Sequence, residues 1–376
     1  MIDPGFTTPS MAAMFTASAR VQIMLRVEGA LARSQATDGV IPATSANEIA
    51  AVCALTHPNA EQLLSNGWEA GTPVLPLLDY VRSQLSPQGL PHLHFLATTQ
   101  DIVDTAMMLH MQQVFSVLES LAGNAAASLT GMSRYGDLPI MTRTFLQPAE
   151  PSTFNLRLTH WLSPLLDAME AMREARFPLQ FGGAVGDRFG QRWSLTLANE
   201  LFLHPRFIPW HTDRQPVVDL VEIIGRLVRW AAKVAGDLVF LAQSGEATMR
   251  AGGSTAMANK RNPTDAIRAL AAADAFHGVA SIITASRPHE LERAAGSWHA
   301  EWFAIPLIAQ TASATLDAVG RALESLTIHS ADVVVPPGRA EAASLLASAT
   351  LDRSRDILGA LHPWTMEDNS VQGNIT

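Results

Sequence analysis

The chain has 376 residues, of which 48% are hydrophobic and 16% are charged. This composition is typical of a globular protein and excludes a largely disordered one. The formal net charge of −9 leaves no basic surface, so we do not expect nucleic acid as a partner.

The N-terminus and the cysteine content indicate the cellular setting. No apolar run reaches about 18 residues, so we expect no membrane span and no membrane partner. Asp3 stands where a secretory signal would carry Lys or Arg, and no hydrophobic region follows it. Cys53 is the only cysteine, which excludes an intrachain disulfide and a cysteine-rich zinc site. We therefore expect a cytoplasmic protein.

Apolar residues recur at helical spacing along most of the chain, and β-branched runs are short, so we predict an all-α fold. The predicted helices, in chain order, cover residues 11–37, 45–55, 71–85, 99–133, 151–176, 216–245, 263–286 and 299–326. Several of them are much longer than the average helix of about 11–12 residues. Long helices joined by short connections favour a helical bundle.

We divide the chain into three regions: an N-terminal helical region over 1–97, a central long-helix bundle over 98–327, and a short C-terminal region over 328–376. The last residues, MEDNSVQGNIT, are polar, so we expect them to be loosely held. The broad, alanine-rich apolar stripes of the long helices suit packing against helices of other subunits.

The segment AGGSTAMANKRNP, residues 251–263, carries more chemistry than a connection between helices needs. Its two adjacent glycines permit backbone conformations that other residues avoid. Ser254 is a candidate proton acceptor, and Lys260 could stabilise a developing carbanion or carboxylate dianion. Asn262 can fix a carboxylate. The alternative is a solvent-exposed Gly/Ser linker.

A second polar stretch lies where the predicted helix over 99–133 begins. Thr98, Thr99 and Gln100 offer two hydroxyls and an amide there, and Asp101 in the first turn suits the helix dipole. The alternative is a capping cluster without a ligand.

A third polar stretch, MTRTFLQPAEPSTF, covers residues 141–154. Arg143, Thr144 and Gln147 could bind a carboxylate in it. The alternative is a proline-containing loop between two helices.

Together, in this order and on this helical framework, the three stretches resemble the signatures of the fumarase/aspartase superfamily. The loop is similar to GSSxMPxKxNP, and the other two stretches are similar to HxGxTSxD and THxQxAxP. Within the superfamily the chain most resembles the 3-carboxy-cis,cis-muconate cycloisomerase family, over roughly residues 24–326. The stretches that carry this likeness are ATTQDIVDTA, RTFLQPAEPSTF, LQFGGAVG, PWHT, NKRNP and GSWHAEW.

The resemblance implies an enzyme that removes a proton α to a carboxylate and expels a group from the β carbon, or runs the reverse addition. It implies Ser254 as the general base, or as the proton donor in lactone formation, with Lys260 and His94 as further catalytic residues. The residues implied to bind the substrate are Thr98, Thr99, Gln100, Arg143, Thr144, Gln147, Thr255, Met257 and Asn262. It also implies a small polycarboxylate substrate, a homotetramer with composite sites, no organic cofactor and no metal.

Three positions depart from the superfamily pattern. Phe145 replaces the histidine of THxQ, which would protonate a leaving group. A carboxylate, whose conjugate acid has a pKa of about 4, leaves without protonation, whereas an amine does not. Phe145 therefore favours cycloisomerisation over an amine lyase. Leu96 replaces the glycine of HxGxTS and Ala258 the proline of MPxK, and neither change has an evident chemical reason in the sequence.

These features leave three functional hypotheses. The first is lactonisation of 3-carboxy-cis,cis-muconate through an aci-carboxylate intermediate. The second is a lyase that releases fumarate or a similar unsaturated acid from an amino- or nitro-succinyl compound. The third is a helical scaffold that has kept the fold and lost activity.

Other conspicuous groups receive structural interpretations. GGAVGDRFG, residues 182–190, lacks the strand and the acidic residue of a dinucleotide-binding loop. We expect Glu290, Glu292, His299 and Glu301 to lie on a solvated or interface helix face. We expect the methionines at 107, 108 and 111 to belong to the core.

Overall fold

The computed structural model describes residues 2–188, 192–286 and 289–361. Helices dominate these residues, so the all-α prediction is confirmed. The helices, in chain order, are α1 (Pro9–Met14), α2 (Ala17–Thr37), α3 (Ala43–Leu55), α4 (Ala60–Glu69), α5 (Val74–Arg82), α6 (Thr99–Gly131), α7 (Phe154–Arg173), α8 (Arg192–Glu200), α9 (Gln215–Gln243), α10 (Thr264–Thr284), α11 (Ser297–Glu324) and α12 (Pro337–Gly359). Short 3-10 segments cover Pro4–Phe6, Leu90–His92 and Met132–Tyr135.

Five long helices form the central bundle. α10 packs against α9 and α11, α11 packs against α6, and α7 packs between α6 and α9. Alanine recurs on the contact faces, as at Ala269 and Ala273 of α10 and at Ala309 and Ala312 of α11, and such small side chains let helix axes approach closely. A continuous apolar core joins this bundle to α2 and α5.

Two antiparallel strand pairs accompany the helices. The larger is a hairpin of β1 (Pro139–Thr144) and β2 (Gln147–Thr153), and the smaller pairs β3 (Ala247–Thr248) with β4 (Thr327–Ile328). The hairpin replaces the proline-containing loop that was the alternative for 141–154, and it moves the start of the next helix from 151 to Phe154. β-branched residues alternate along Ile140, Thr142 and Thr144, a period-2 pattern that fits a strand.

Other boundaries also differ from the prediction. The helix predicted over 11–37 is two helices, because the Thr16 hydroxyl accepts a hydrogen bond from the Ala19 N–H and so starts α2 afresh. The helices α4, α8 and α12 were not predicted, because α4 and α8 have only 10 and 9 residues and α12 buries few apolar residues, namely Ala343, Ala347 and Ile357.

α12 lies along the central bundle. Its Arg353 binds Glu170 of α7, and its Ser354 hydroxyl lies 2.8 Å from the Thr130 hydroxyl of α6. The division of the chain at 97/98 and 327/328 stays a prediction, and the loosely held tail that we predicted at 366–376 lies outside the described residues.

Among the described helices, α10 is long and apolar enough to cross a membrane by length and composition alone. It carries Asp265, Arg268 and Asp274 along its length, and 39% of its most apolar window is buried inside this chain. Its packing against α9 and α11 is that of a helix in a bundle.

Candidate active site

The N-terminal end of α6 is held by a buried carboxylate. Thr98 and Asp101 form a capping box, in which the Thr98 N–H donates to Asp101 Oδ2 at 2.9 Å. The same carboxylate accepts hydrogen bonds from the N–H groups of Gly182, at 2.8 Å, and Gly183, at 2.9 Å. His211 Nε2 lies 2.9 Å from Asp101 Oδ1. Asp101 is only 1% exposed, so these partners replace the water that its charge would otherwise require.

The glycines of the GGAVG stretch allow this close approach. A Cβ on Gly182 would lie 2.7 Å from Pro209 Cβ, and Gly183 has a φ of +68°, in the left-handed region. The stretch therefore wraps the Asp101 carboxylate with backbone donors, which gives its glycines a structural explanation.

Thr98 and Thr99 are partly buried at this helix end, beside an arginine that the sequence interpretation did not single out. Arg293 Nη2 donates to the Thr98 hydroxyl at 3.0 Å and to the Ala184 carbonyl at 3.3 Å. The arrangement places a cation beside two hydroxyls at a helix N-terminus, which suits an anionic group. The position of Arg293, three residues before GSWHAEW, was the available sequence signal.

Gln100, unlike Thr98 and Thr99, is not accessible from solvent. It is fully buried, and its amide nitrogen donates to the His211 carbonyl at 2.8 Å and to Asp104 Oδ2 at 3.1 Å. Its amide N–H groups already have buried partners in this chain, so the structure does not support the prediction that Gln100 binds the substrate.

His94 lies next to a buried glutamate. Its Nδ1 is 2.7 Å from Glu28 Oε1, and Glu28 is 1% exposed. Burial alone would lower the pKa of His94, but the charge and hydrogen bond of Glu28 outweigh it and raise that pKa. His94 and Leu96 both have positive φ angles, of 56° and 61°. The glycine of the superfamily pattern thus falls on a left-handed position, which Leu96 occupies at a cost in strain.

A second buried charge network lies one turn further along α6. Arg214 donates to both oxygens of Asp104, at 2.7 and 3.1 Å, and to both oxygens of Glu301, at 2.9 and 2.5 Å. The Trp298 indole N–H donates to Asp104 at 2.9 Å. Burial disfavours the charge of Arg214, but the two carboxylates outweigh it and raise the pKa of its guanidinium. The expected solvated or interface face is therefore wrong for Glu301, which is 5% exposed.

The β1–β2 hairpin presents its turn to the outside. Thr144 pairs with Gln147 in the register, which leaves Phe145 and Leu146 as the two turn residues. Both have positive φ angles, of 48° and 63°, and Phe145 is 99% exposed. The predicted positions Arg143, Thr144 and Gln147 lie close together in this hairpin. The Arg143 guanidinium, however, already binds Glu246 Oε1, at 2.5 and 2.9 Å.

The loop over 251–263 is closed at its base and exposed beyond it. Gly252 and Asn262 exchange backbone hydrogen bonds at 2.9 and 3.0 Å. The Ser254 hydroxyl oxygen accepts from the N–H groups of Ala256, at 3.3 Å, and Met257, at 3.2 Å. Such donors stabilise an oxygen that gains negative charge, which is compatible with the proton transfer predicted for Ser254.

The remaining predicted positions of the loop face solvent. Lys260 and Thr255 are exposed, and Met257 is 54% exposed. The Asn262 side-chain amide donates to the Gly253 carbonyl at 3.1 Å. The Lys260 ammonium is thus accessible to an anion from solvent. In the part of the chain that is described, no group of three or more His, Cys, Asp or Glu side chains is placed to hold a metal ion.

The start of α6 lies far from the other two stretches within one chain. The N-terminal end of α6 contacts His211 and Arg214, which come just before α9. The hairpin instead contacts Glu246, which comes just after the C-terminal end of α9. The loop over 251–263 follows that same end. α9 has 29 residues, which corresponds to about 43 Å at 1.5 Å per residue.

The family model described as Lyase matches residues 5–273, so the chain belongs to this lyase family and is an enzyme of the lyase or intramolecular lyase class. Its relatives place it further, in the 3-carboxy-cis,cis-muconate cycloisomerase family of the fumarase/aspartase superfamily. A 3-carboxy-cis,cis-muconate cycloisomerase from Pseudomonas aeruginosa is 33% identical, over 87% of this chain and 75% of that protein. A nitrosuccinate lyase from Streptomyces davaonensis is 29% identical, over 80% of this chain and 70% of that protein.

A solved structure agrees with this assignment. The 3-carboxy-cis,cis-muconate lactonizing enzyme from Pseudomonas putida superposes with a TM-score of 0.79 at 29% identity, over 94% of this chain and 78% of that one. The predicted superfamily architecture is therefore confirmed. The roles of the individual site residues stay predictions.

Proposed function

We propose that this protein catalyses the lactonisation of 3-carboxy-cis,cis-muconate. The observation that carries the proposal is the 33% identity to a cycloisomerase of that name over most of the chain. The geometry of Ser254, whose hydroxyl oxygen accepts two backbone hydrogen bonds, supports a proton transfer at that residue.

The reaction balances with groups that this chain offers. One substrate carboxylate oxygen adds to a carbon of the diene, so that a C–O bond forms and an electron pair moves onto the carbon α to another carboxylate. Lys260 stabilises the resulting aci-carboxylate by its charge. The Ser254 hydroxyl then protonates the α carbon, and the N–H groups of Ala256 and Met257 stabilise the alkoxide until it regains a proton from water.

The substrate carboxylates need further cationic and polar partners. We assign one of them to Thr98, Thr99 and Arg293, because that group joins two hydroxyls to a cation at the start of α6. We assign another to Thr144 and Gln147 of the exposed hairpin turn. Phe145 supplies no proton, in keeping with a reaction whose leaving group, in the reverse direction, is a carboxylate.

We further propose a homotetramer in the cytoplasm, with each site formed by three chains. The separation of about 43 Å along α9 supports a composite site, because one chain cannot bring the start of α6 to the hairpin and the loop. The exposed apolar side chain of Ile267 on α10, 48% exposed, would be covered by a neighbouring helix. Light scattering tests the assembly, and a monomer would contradict the composite site. Cell fractionation tests the location.

The activity is tested by mixing the purified protein with 3-carboxy-cis,cis-muconate and following the loss of diene absorbance. Ser254→Ala should slow the reaction about 10²–10⁴-fold, the usual contribution of a proton-transfer group. The exposed Ser330→Ala variant serves as the matched control and should retain full activity. Absence of turnover by the wild-type protein would overturn the proposal.

A second candidate is a lyase acting on a nitro- or amino-succinyl compound. The 29% identity to a nitrosuccinate lyase favours it, and nitrite also leaves without protonation, so Phe145 tolerates this reaction too. Appearance of fumarate absorbance with such a substrate would support this candidate. A catalytically inactive scaffold would turn over neither substrate.

A further inference from the structure

A small cavity lies between α2, α6 and α11, outside the three predicted catalytic stretches. Its volume is about 70 Å³, and its walls are mostly apolar, formed by Ile23, Met24, Val103, Met107, Ile305 and Pro306. We call it the His110 cavity, since His110 also lines it. His110 is ten residues beyond Gln100 on α6, which places it about 15 Å further along that helix.

His110 is buried without hydrogen-bond partners. It is 8% exposed, it stacks on Phe15 with ring centroids 5.4 Å apart, and neither ring nitrogen has a partner. Burial and the charge of Arg20 lower the pKa of His110 to about 4, so the ring is neutral near pH 7. A neutral imidazole offers one donor and one acceptor, and leaving both unused in a buried position costs stability.

Two further donors line the same cavity. The Trp302 indole N–H is buried and has no hydrogen-bond partner. The Arg20 guanidinium forms no hydrogen bond or ion pair with any residue in the described part of the chain, although its charge acts on His110 and the charge of Glu61 acts on it. Glu301 also lines the cavity, but its two oxygens are held by Arg214. The cavity therefore combines apolar walls with unpaired donors.

We propose that the His110 cavity binds a short-chain monocarboxylate, of the size of acetate or propionate. The carboxylate would pair with Arg20 and accept hydrogen bonds from His110 and Trp302, and its methyl or ethyl group would fill the apolar part. The volume of about 70 Å³ exceeds the roughly 10–15 Å³ that a single water molecule needs, and it suits a ligand of a few non-hydrogen atoms. This site is independent of the proposed function, because none of its residues belongs to the three catalytic stretches.

The test is thermal unfolding and calorimetric titration with propionate, against chloride at equal ionic strength. Propionate should stabilise the wild-type protein, and Ser254→Ala should bind it equally well, which separates this cavity from the active site. Arg20→Gln and His110→Phe should each weaken binding at least about tenfold, the loss expected of a charge-assisted hydrogen bond. Arg355→Gln, at an exposed arginine of α12, is the matched control and should bind as the wild type does.

A crystal structure grown with propionate gives a second, direct readout. Electron density for a carboxylate between Arg20 and Trp302 would support the proposal. Water molecules alone in the cavity would overturn it, and so would equal stabilisation of the wild-type and His110→Phe proteins by propionate.

Discussion

The start of α6 and the loop over 251–263 are built in opposite ways. Around Asp101 and Asp104, buried carboxylates are matched by donors from distant parts of the chain, among them Gly183 and Arg214. The loop makes its hydrogen bonds almost entirely within itself, through the Gly252–Asn262 pair and the turn at Ser254. One region is held in place by buried, paired carboxylates, and the other presents its polar side chains outward.

The difference has a physical origin in solvation. A buried charge must be paired, so each member of the α6 network ties another segment into place. The exposed groups of the loop are solvated, and they leave the loop attached at its base only. Variants at the start of α6 should therefore lose stability, whereas variants in the loop over 251–263 should lose activity.

The largest effect is expected from Arg214→Met. Removal of the guanidinium leaves Asp104 and Glu301 buried and unpaired, which should lower the free energy of unfolding by about 3–5 kcal/mol. Urea unfolding at a fixed protein concentration measures it. Arg355→Gln breaks an exposed pair with Asp352 and should cost less than about 1 kcal/mol. A similarly small cost for Arg214→Met would contradict the interpretation that buried ion pairs hold the start of α6 in place.

Gly252→Ala should damage the loop without damaging the fold. A Cβ at Gly252 would lie 2.4 Å from Thr264 Cγ2, whereas one at Gly253 would meet nothing within 4 Å. Displacing the base of the loop by about 1 Å can cost about 10²-fold in rate. We expect that order of loss in kcat/KM for Gly252→Ala and little change for Gly253→Ala, with the midpoint of urea unfolding nearly constant in both. Equal activities of the two variants would refute a role for the loop base.

Phe145→Asn should separate stability from activity. Both turn residues of the hairpin have positive φ angles, which asparagine tolerates better than phenylalanine, so the variant should gain about 0.5–1 kcal/mol in unfolding free energy. Activity should fall, since an amide replaces an apolar ring in the composite site. Val334→Asn, at a residue that is 89% exposed outside any left-handed turn, is the control. A loss of stability in Phe145→Asn would show that the turn is not strained.

The smallest effect concerns pH and His94. Its pKa is raised in the folded protein by Glu28, so the folded state binds more protons than the unfolded state above the unfolded pKa of about 6.5. The contribution of His94 to stability is complete below that pH and is lost as pH rises through the raised pKa. Unfolding of the wild type and of His94→Gln between pH 6 and pH 9 should therefore converge at high pH. A difference that grows with pH would contradict this sign.

Much of the bundle follows from local patterns. The long helices from α6 to α11 were predictable because their apolar periodicity extends over many turns, and Thr98 with Asp101 signals the start of α6. The hairpin at β1 and β2 was missed since its two strands are short and rich in proline. The burial of Glu301 was also missed, because a glutamate in an amphipathic helix is normally expected to be exposed. Its partner, Arg214, lies 87 residues away in the chain.

The sequence by itself determined the helical class and the family, because these depend on periodicity and on residues that are adjacent in the chain. Only the tertiary structure decided which polar residues are structural and which are available. Gln100 and Thr99 are neighbours in the sequence, yet Gln100 is fully buried and bonded to His211, while Thr99 remains accessible. That choice depends on desolvation by distant segments, whose positions no local pattern encodes.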